Sequence, residues 1–559
     1  MEAKKRTTLL LILAVSLFFL WDNWQVYRGG KSLIFTQEKA KKSETQTGLP
    51  EVPVQTASVT AEENPAADAS NAVAKKEEPK KQPVELVSIT TDVFKVQINP
   101  DGGVFQNLEL LKYPDNVDST KDMVLFESAP PRIYLAQTGL TGGLYPNHAT
   151  RFHIRPGERT LGENSDEVKL VMDAEQDGVR LTKTYTFKRG SYVIDVDQKV
   201  TNLSHEPINA SLYLQLLRDS ERPEGQSRFI STFTGPAVYS EEDKFQKIKF
   251  DNIGEGKMDH AIKTDNGWVG MVQHYFVSAF IPQDKVAREN YTKKVGENLY
   301  AIGTVIPLGT IAPNASASND TRLYVGPQES KLLEKTAPGL ELVKDYGWLT
   351  IIAKPIFWLM THIHNEVGNW GWTIILLTCL IKLIFAPLSA ASYRSMAKMK
   401  QFTPRITELR ERYKDDKQRM NKELMGLYKA EKINPLGGCL PVVIQIPVFI
   451  SLYWVLLASV EIRNAPWLGW IQNLAAPDPY YILPIIMAGS MFIQQKMSPP
   501  PPDPMQAKMM MFLPIAFSIT FFFFPSGLVL YWVVNNLLSI AQQYWITKKY
   551  DNTKTKKPA

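Results

Sequence analysis

A lysine stands near the middle of an otherwise apolar run, residues 371–391. Lys382 is roughly eleven residues from Trp370, which is about 15 Å along a helix and half the thickness of a hydrocarbon core. A cation at that depth is costly unless it faces polar groups or water, so such a residue indicates a functional site. The alternative is that the Lys382 side chain snorkels to the interface, although it would have to extend across most of one leaflet. The run predicts a membrane helix with one polar side.

Four further apolar runs follow, and each is about long enough to cross a bilayer. They are 439–460, 480–495, 509–524 and 528–546. A last run follows Lys4, Lys5 and Arg6 at the N-terminus, and it shows no small-x-small cleavage site. It predicts an uncleaved anchor over 1–26, with removal as a secretory signal as the alternative. The sequence therefore predicts six membrane helices.

The polar half of the chain has a different pattern. Residues 27–84 are predicted to be a flexible linker, because 43–83 contain no aromatic residue and are too polar to collapse. Over 85–340, period-two alternation recurs between Gly, Asn and Pro turns, as in 94–98 and 184–196. This predicts a large all-β sandwich. Neither cysteine lies in it, so its stability must come from a hydrophobic core.

The region 341–368 is too polar in its second half to span a membrane and predicts an interfacial amphipathic helix. His362 and His364 point to different faces of it, which disfavours a metal site.

The distribution of charge predicts the orientation in the membrane. Residues 393–438 are rich in Lys and Arg interleaved with acids at helical spacings, which predicts a cytoplasmic helical hairpin. The basic tail, 550–559, and both termini are then cytoplasmic, and the β domain is exported.

Polar residues inside the apolar runs are also patterned. Thr378 lies one turn before Lys382, Gln445 lies in the next run, and the last run carries a stripe of polar and aromatic residues: Trp532, Asn535, Asn536, Ser539 and Gln542. Together they would line a hydrated groove. The alternative is that Asn, Ser and Gln hold helices together through hydrogen bonds. Lys382 favours the groove, because a cation needs hydration or acceptors nearby.

Six blocks of the C-terminal half are long enough to be specific for a family: 396–400 (MAKMK), 428–439 (YKAEKINPLGGC), 441–447 (PVVIQIP), 478–481 (DPYY), 495–497 (QKM) and 524–528 (FPSGL). They resemble the YidC membrane protein insertases of the Oxa/Alb superfamily, in the Gram-negative form with a large periplasmic domain. The resemblance implies a five-helix insertase core over 369–549 that encloses a positively charged hydrophilic groove, closed toward the periplasm.

The resemblance also implies roles for particular residues. Lys382 stands where the family usually has arginine, which keeps the charge but loses the bidentate fork. The implied groove residues are Lys382, Thr378, Gln445, Trp532, Asn535 and Ser539. The implied substrate-helix contacts are Phe449, Met487 and Phe521. The hairpin tip, Lys414, Asp415 and Asp416, would make the first cytoplasmic contact.

The expected function is insertion and chaperoning of nascent inner-membrane proteins. The expected partners are those proteins, the lipid bilayer, the ribosome and a Sec translocon, with no DNA. No phosphate-binding loop and no His-Glu-x-x-His motif occurs, so neither a cofactor, a metal nor an enzymatic reaction is expected.

Two other classes of protein remain open from the residues alone. One is a secondary transporter that uses Lys382 for a small anion, although the chain lacks two repeated halves with broken helices. The other is a protein whose exported domain binds or modifies a carbohydrate. Asp195 and Asp197 alternate with apolar residues, however, as on an exposed strand face.

Overall fold

The computed structural model describes residues 85–115, 118, 120–223, 232–257, 260–414, 416–431, 440–497 and 518–554. Several predicted features lie outside them: the anchor over 1–26, the linker over 27–84, residues 509–517 of one predicted membrane helix, Asp415 and residues 555–559 of the tail. The described chain forms two compact units, a β domain that ends at Lys344 and a helical unit that begins at Asp345.

The described part of the β domain contains eighteen strands and two short helices. The strands are β1 (Val87–Thr90), β2 (Phe94–Asn99), β3 (Val104–Pro114), β4 (Asp122–Phe126), β5 (Tyr134–Thr141), β6 (His153–Ile154), β7 (Glu167–Gln176), β8 (Val179–Lys188), β9 (Val193–Asn202), β10 (Ile208–Asp219), β11 (Gly235–Ser240), β12 (Lys244–Lys247), β13 (Lys263–Thr264), β14 (Trp268–Gln273), β15 (Phe276–Pro282), β16 (Arg288–Gly296), β17 (Leu299–Ile311) and β18 (Ser316–Pro327). The helices are α1 (Phe250–Gly254) and α2 (Ser330–Thr336).

These strands form two nine-stranded sheets. The first has the order β1-β2-β3-β5-β10-β17-β16-β13, with β4 paired to β3, and the second has the order β12-β11-β14-β15-β18-β9-β8-β7-β6. Neighbouring strands pair antiparallel; in β10, for example, Leu214 lies opposite Thr138 of β5 and Thr304 of β17. The predicted all-β architecture is confirmed.

Alternating side chains explain why these segments become strands. In β2, Phe94, Val96 and Ile98 are at most 1% exposed, while Lys95 between them is exposed. The predicted turn after Lys188 joins β8 to β9, and its Gly190 has a φ of 67°, which glycine adopts without a Cβ penalty. The period of two therefore determines which face of each sheet is buried.

The two sheets pack face to face. The ring of Phe105 in β3 lies edge-on to that of Tyr185 in β8, with centroids 5.0 Å apart. The Tyr185 hydroxyl donates to the carbonyl of Gly103 at 2.9 Å. This donation satisfies a phenol that would otherwise be costly to bury.

A lysine is buried between the sheets. Lys183 of β8 has no exposed surface, and its Nζ donates to the carbonyls of Gly102 at 2.6 Å and Thr138 at 2.8 Å. The same nitrogen lies 4.5 Å from the ring centroid of Phe152. Burial lowers the pKa of Lys183 to about 7.

A histidine shares this interior. Burial, together with the positive charge of Lys183, lowers the pKa of His148 to about 4. Its Nδ1 makes a short hydrogen bond with the Tyr213 hydroxyl. Both basic groups are therefore driven toward their neutral forms by the apolar interior.

The described helical unit contains seven helices of fourteen residues or more. They are α3 (Thr350–Val367), α4 (Trp370–Ile384), α5 (Ala386–Arg412), α6 (Lys417–Ala430), α7 (Leu440–Ala458), α8 (Ile482–Met497) and α9 (Ser526–Lys554). The predicted runs 439–460, 480–495 and 528–546 correspond to α7, α8 and α9.

Helix α3 accounts for the region predicted to be amphipathic. Its buried residues, Ala353, Ile356 and Met360, recur at spacings of three and four, while Ile351 and Trp358 are exposed. It ends at Gly368, which has a φ of 71° and so takes the left-handed conformation that commonly closes a helix.

The run predicted as one membrane helix, 371–391, is divided between two helices. Helix α4 ends at Ile384 and α5 begins at Ala386, with a bend of 65° between them. Pro387, in the first turn of α5, explains the break, because it has no N–H with which to continue the hydrogen bonds of α4. Lys382 consequently lies in the last turn of α4 instead of the middle of a helix.

Among the described residues, no single helix is both long enough and apolar enough to cross a membrane by itself. The bent pair formed by α4 and the first half of α5 meets the criteria of length and composition jointly.

Candidate functional site

Lys382 connects α4 to α9. Its Nζ donates to the Ser539 hydroxyl at 2.7 Å, and that hydroxyl donates in turn to the backbone carbonyl of Asn535 at 2.7 Å. The Ser539 oxygen is therefore free to accept from the Lys382 ammonium, because the hydroxyl hydrogen is donated to Asn535. Its place at the C-terminal end of α4 is also favourable for a positive charge. The Lys382 side chain reaches across to a neighbouring helix, not along its own helix toward an interface.

Helix α7 completes this arrangement. The Gln445 amide donates a short hydrogen bond to Asn535 Oδ1. Asn535 and Ser539 are at most 5% exposed, so α4, α7 and α9 share a buried polar contact at one level. We name Lys382, Gln445, Asn535 and Ser539 the polar cluster.

A small pocket lies beside the polar cluster. Its lining includes Lys382, Phe385, Ser389 and Gln445, and it offers about 10 Å³ to the centres of water molecules. That is room for about one water molecule. The space beside Lys382 is therefore small.

Ser389 is a pocket residue that the sequence analysis missed. It is 4% exposed and lies seven positions after Lys382. Because the 65° bend lies between the two residues, their spacing of seven does not place them on one helix face, and no sequence pattern indicated Ser389.

The polar stripe of α9 does not face one neighbour. Asn535 and Ser539 face α7 and α4, and the Gln542 amide donates to the carbonyl of Ala386 at the bend, at 3.2 Å. Asn536 turns the other way and donates to the Ser490 hydroxyl of α8 at 3.1 Å. The hydrogen-bonding alternative therefore fits Asn535, Asn536, Ser539 and Gln542, because each of them joins α9 to another helix.

Thr378 is buried but is not brought to Lys382 by a hydrogen bond. Its hydroxyl donates to the carbonyl of Ile374 one turn earlier, at 2.6 Å, and its side chain is 1% exposed. A threonine commonly satisfies its hydroxyl in this way inside a helix.

The aromatic residues pack together one turn from the polar cluster. The Trp532 ring lies edge-on to Phe449 at 4.9 Å and to Phe521 at 5.8 Å between centroids. Phe521 and Met487 have no exposed surface. A substrate could touch these last two side chains only after the helices around them separate.

One end of the helical unit is closed by the segment between α7 and α8. Its buried Asp478 accepts hydrogen bonds from the backbone N–H of Leu483 at 2.7 Å and Tyr480 at 3.0 Å, and from the Trp470 indole at 3.0 Å. The carbonyl of Leu474 accepts from the N–H of Gly527, at the start of α9. A Cβ at Gly527 would lie 3.1 Å from this carbonyl, so glycine permits the close approach.

The tip between α5 and α6 shows a structural use for one predicted contact residue. Asp416 caps α6, because its Oδ1 accepts from the N–H of Arg419 at 3.0 Å. Lys414 is exposed, and Asp415 lies outside the described residues. An ion pair between Arg405 and Glu431, at 3.8 Å, joins the two helices.

Over the described ranges, no three His, Cys, Asp or Glu side chains come together in a way that could hold a metal ion. His364 stacks on Trp370 with 4.0 Å between ring centroids, and His362 Nδ1 lies 2.9 Å from the carbonyl of Trp358.

Two family models together match almost all of the described chain. Residues 86–359 match the YidC periplasmic domain, and residues 362–554 match the 60Kd inner membrane protein family. The boundary between the matches falls within α3, close to the division between the two compact units.

Curated relatives match at high identity over the full length. Membrane protein insertase YidC of Janthinobacterium sp. (strain Marseille) is 57% identical, covering 98% of this chain and 99% of that protein. The same-named protein of Herminiimonas arsenicoxydans is 54% identical, covering 99% of each. A solved structure described as an active YidC insertase is 18% identical with a TM-score of 0.39, covering 83% of this chain and 94% of that one.

These matches decide between the classes left open by the residues. The relatives are named as insertases, so the transporter alternative and the enzymatic alternative for the β domain have no support. The β domain is a periplasmic domain by its family match, and the chain is an inner-membrane protein. This chain belongs to the YidC family of membrane protein insertases.

Proposed function

We propose that this insertase receives the polar part of a nascent membrane protein at the polar cluster. The hydrogen bond between Lys382 and Ser539, inside an apolar helix unit, is the observation that supports this most directly. A buried cation attracts an acidic or carbonyl-rich segment far more strongly than an exposed one, because screening by solvent is weak there.

When no substrate is bound, the Ser539 hydroxyl takes the acceptor position at Lys382 that a substrate group would take. A neutral acceptor holds the ammonium less tightly than a carboxylate does, since charge-assisted hydrogen bonds are about twice as strong as neutral ones. An acidic side chain of the substrate can therefore displace Ser539. The pocket admits only about one water molecule, so substrate entry also requires α4, α7 and α9 to move apart.

Insertion follows from placing a polar site part-way into the membrane. Moving a polar segment through bare hydrocarbon leaves backbone groups without partners, which costs several kcal/mol for each group. A site at the depth of Lys382 shortens the distance over which that cost applies. The apolar part of the substrate then leaves laterally into lipid along Phe449, Met487 and Phe521, and hydrophobic partitioning supplies the driving force.

The finer topology belongs to this proposal. Six membrane helices, an N-terminal anchor over 1–26, a core over 369–549, and cytoplasmic termini agree with the basic segment 393–438 and with the closed end at Asp478 facing the periplasm. The region 341–368 would lie at the membrane interface.

The cytoplasmic partners belong to it as well. The hairpin formed by α5 and α6 is basic and exposed, so its tip near Lys414 and Asp416 suits a first contact with a translating ribosome. A Sec translocon is proposed as a second partner for substrates with large exported domains.

The test is insertion of a short single-span protein with an acidic tail into vesicles containing the purified protein. We expect Lys382→Ala to lower insertion about tenfold or more, since a hydrogen bond to a charged group contributes about 1.5–3 kcal/mol. Lys382→Arg should keep most activity because it keeps the charge. Lys496→Ala is the matched control, as Lys496 is an exposed lysine in the last turn of α8. Full activity of Lys382→Ala would refute the proposal.

A further inference from the structure

A second, apolar pocket lies between α5 and α9, apart from the polar cluster. It has a volume of about 570 Å³, and its walls include Ala386, Pro387, Ala390, Ala541 and Trp545. This volume falls within the roughly 300–1,000 Å³ that is usual for small-molecule sites. Ile546 and one polar residue, Gln542, complete the lining, which is otherwise apolar, and the small side chains of Ala386, Ala390 and Ala541 leave the space open. We name it the lateral pocket.

The helices α4 and α9 run in the same direction, which shows where the lateral pocket lies along them. Gly527 lies close to Ile374, Ser539 accepts a hydrogen bond from Lys382, and Gln542 donates one to Ala386. The contacts therefore follow the same order along both helices. The 65° bend then directs α5 away from the axis of α4. The bend leaves a wedge-shaped space between α5 and α9, and the lateral pocket occupies this space.

Positive charge lies at the far end of this wedge. Arg394 is exposed and follows Ala390 by one turn, and Lys548 is exposed and follows Trp545 by three residues. No acidic residue occurs in 386–407 of α5 or in 526–550 of α9. Asp551, three residues after Lys548 on α9, is the only acidic residue within one turn of Arg394 or Lys548 along these two helices, so with Lys549 the rim keeps a net positive charge.

Aromatic residues indicate the depth of this rim in the membrane. Trp545 is 73% exposed and Tyr544 is 57% exposed, and Lys548 Nζ lies 5.8 Å from the Tyr544 ring centroid. Exposed Trp and Tyr concentrate at the level of lipid headgroups. The rim cations then lie at the level of phosphates, and the apolar wall of the pocket lies at the level of acyl chains.

We propose that the lateral pocket binds one anionic glycerophospholipid of the surrounding leaflet, with an acyl chain against Ala390 and Ala541 and the phosphate between Arg394 and Lys548. An acyl chain matches the mainly apolar lining, and an anionic headgroup matches the net positive charge of the rim. This site is separate from the polar cluster, and its test needs no insertion substrate.

The experiment measures lipid retained by the full-length purified protein in native mass spectrometry. The probes are phosphatidylglycerol and phosphatidylcholine with identical acyl chains. We expect wild type to retain phosphatidylglycerol about 25-fold more strongly, because each cation near an anionic headgroup contributes about fivefold. Equal retention of the two lipids by wild type would overturn the proposal.

Variants separate the contribution of the headgroup from that of the acyl chain. The double variant Arg394→Ala with Lys548→Ala should retain both lipids equally. Ala541→Phe fills the pocket while keeping every charge, and it should reduce retention of both lipids. Lys422→Ala with Lys429→Ala, two exposed lysines of α6, is the charge-matched control and should behave as wild type. Unchanged retention in Ala541→Phe would place the lipid elsewhere.

A photoreactive side chain at position 541 identifies the occupant directly. Crosslinking to phosphatidylglycerol supports the proposal. Crosslinking instead to a second copy of this chain, to its own N-terminal apolar segment or to an insertion substrate would overturn it. Loss of insertion activity in Lys382→Ala would leave all these results unchanged, so the two proposals fail independently.

Discussion

Lys183 makes the stability of the β domain depend on pH in a window where few other groups titrate. Burial lowers the pKa of Lys183 from 10.5 to about 7 in the folded domain. Between these values the unfolded chain holds the proton and the folded domain does not. The unfolded state therefore binds more protons, and the free energy of unfolding rises with pH. Below pH 7 both states are protonated and the dependence ends.

The magnitude follows from the shift. Each unit of pKa difference corresponds to about 1.36 kcal/mol, so raising the pH from 7 to 9 should stabilise the domain by about 2 kcal/mol. His148, with a pKa of about 4, is neutral in both states over this range. Burial raises the pKa of Tyr185 and Tyr213, so these phenols also stay protonated below pH 9.

Urea unfolding of a fragment spanning 85–344 measures this dependence. Trp268 is the sole tryptophan of that fragment and is 2% exposed, so its fluorescence reports unfolding. Lys183→Met should have the same stability at pH 7 and pH 9, and Lys199→Met, an exposed residue of the next strand, should keep the wild-type slope. A wild-type slope in Lys183→Met would refute the reasoning.

Three other substitutions test separate contacts. Ser539→Ala removes the acceptor of the Lys382 ammonium and should lower the thermal midpoint in lipid nanodiscs by the equivalent of about 1.5–3 kcal/mol, with Ser539→Thr near wild type. Asp478→Ala removes the acceptor of three N–H groups and should cost at least about 3 kcal/mol by the same assay; a loss under 1 kcal/mol would contradict the described geometry. Pro387→Ala should broaden the distribution of distances between spin labels at positions 372 and 394. Pro404→Ala, inside the unbroken α5, should leave that distribution unchanged.

Much of the β domain could be predicted because strands such as β2, β7, β8 and β9 bury alternate residues, whereas β11, β14 and β15 are buried on both faces. The alternation that places Phe94, Val96 and Ile98 inward is readable directly from sequence. Lys183 occupies the inward phase of β8, with Leu181 and Tyr185 on either side. Its burial was therefore implied by the same period, although the identity of its carbonyl partners depends on strands distant in the chain.

The candidate site could be predicted only in part. Helical spacing grouped Asn535 with Ser539, but it could not show that Asn536 faces a different helix, because a one-residue step of 100° changes the neighbour. The pairing of Ser539 with Lys382 spans 157 residues and depends on how helices pack. The bend was readable at Pro387, although the length of the apolar run alone does not show it.

Photocrosslinking tests the central claim most directly. A photoreactive amino acid is placed at Lys382, Ser539 or Trp532, and at the exposed Ile485 of α8 as a control, with a stalled nascent membrane protein on ribosomes. Crosslinks from the first three positions and none from Ile485 would show that the substrate passes the polar cluster. Crosslinks from Ile485 alone would place the substrate path on the outer surface and contradict the account.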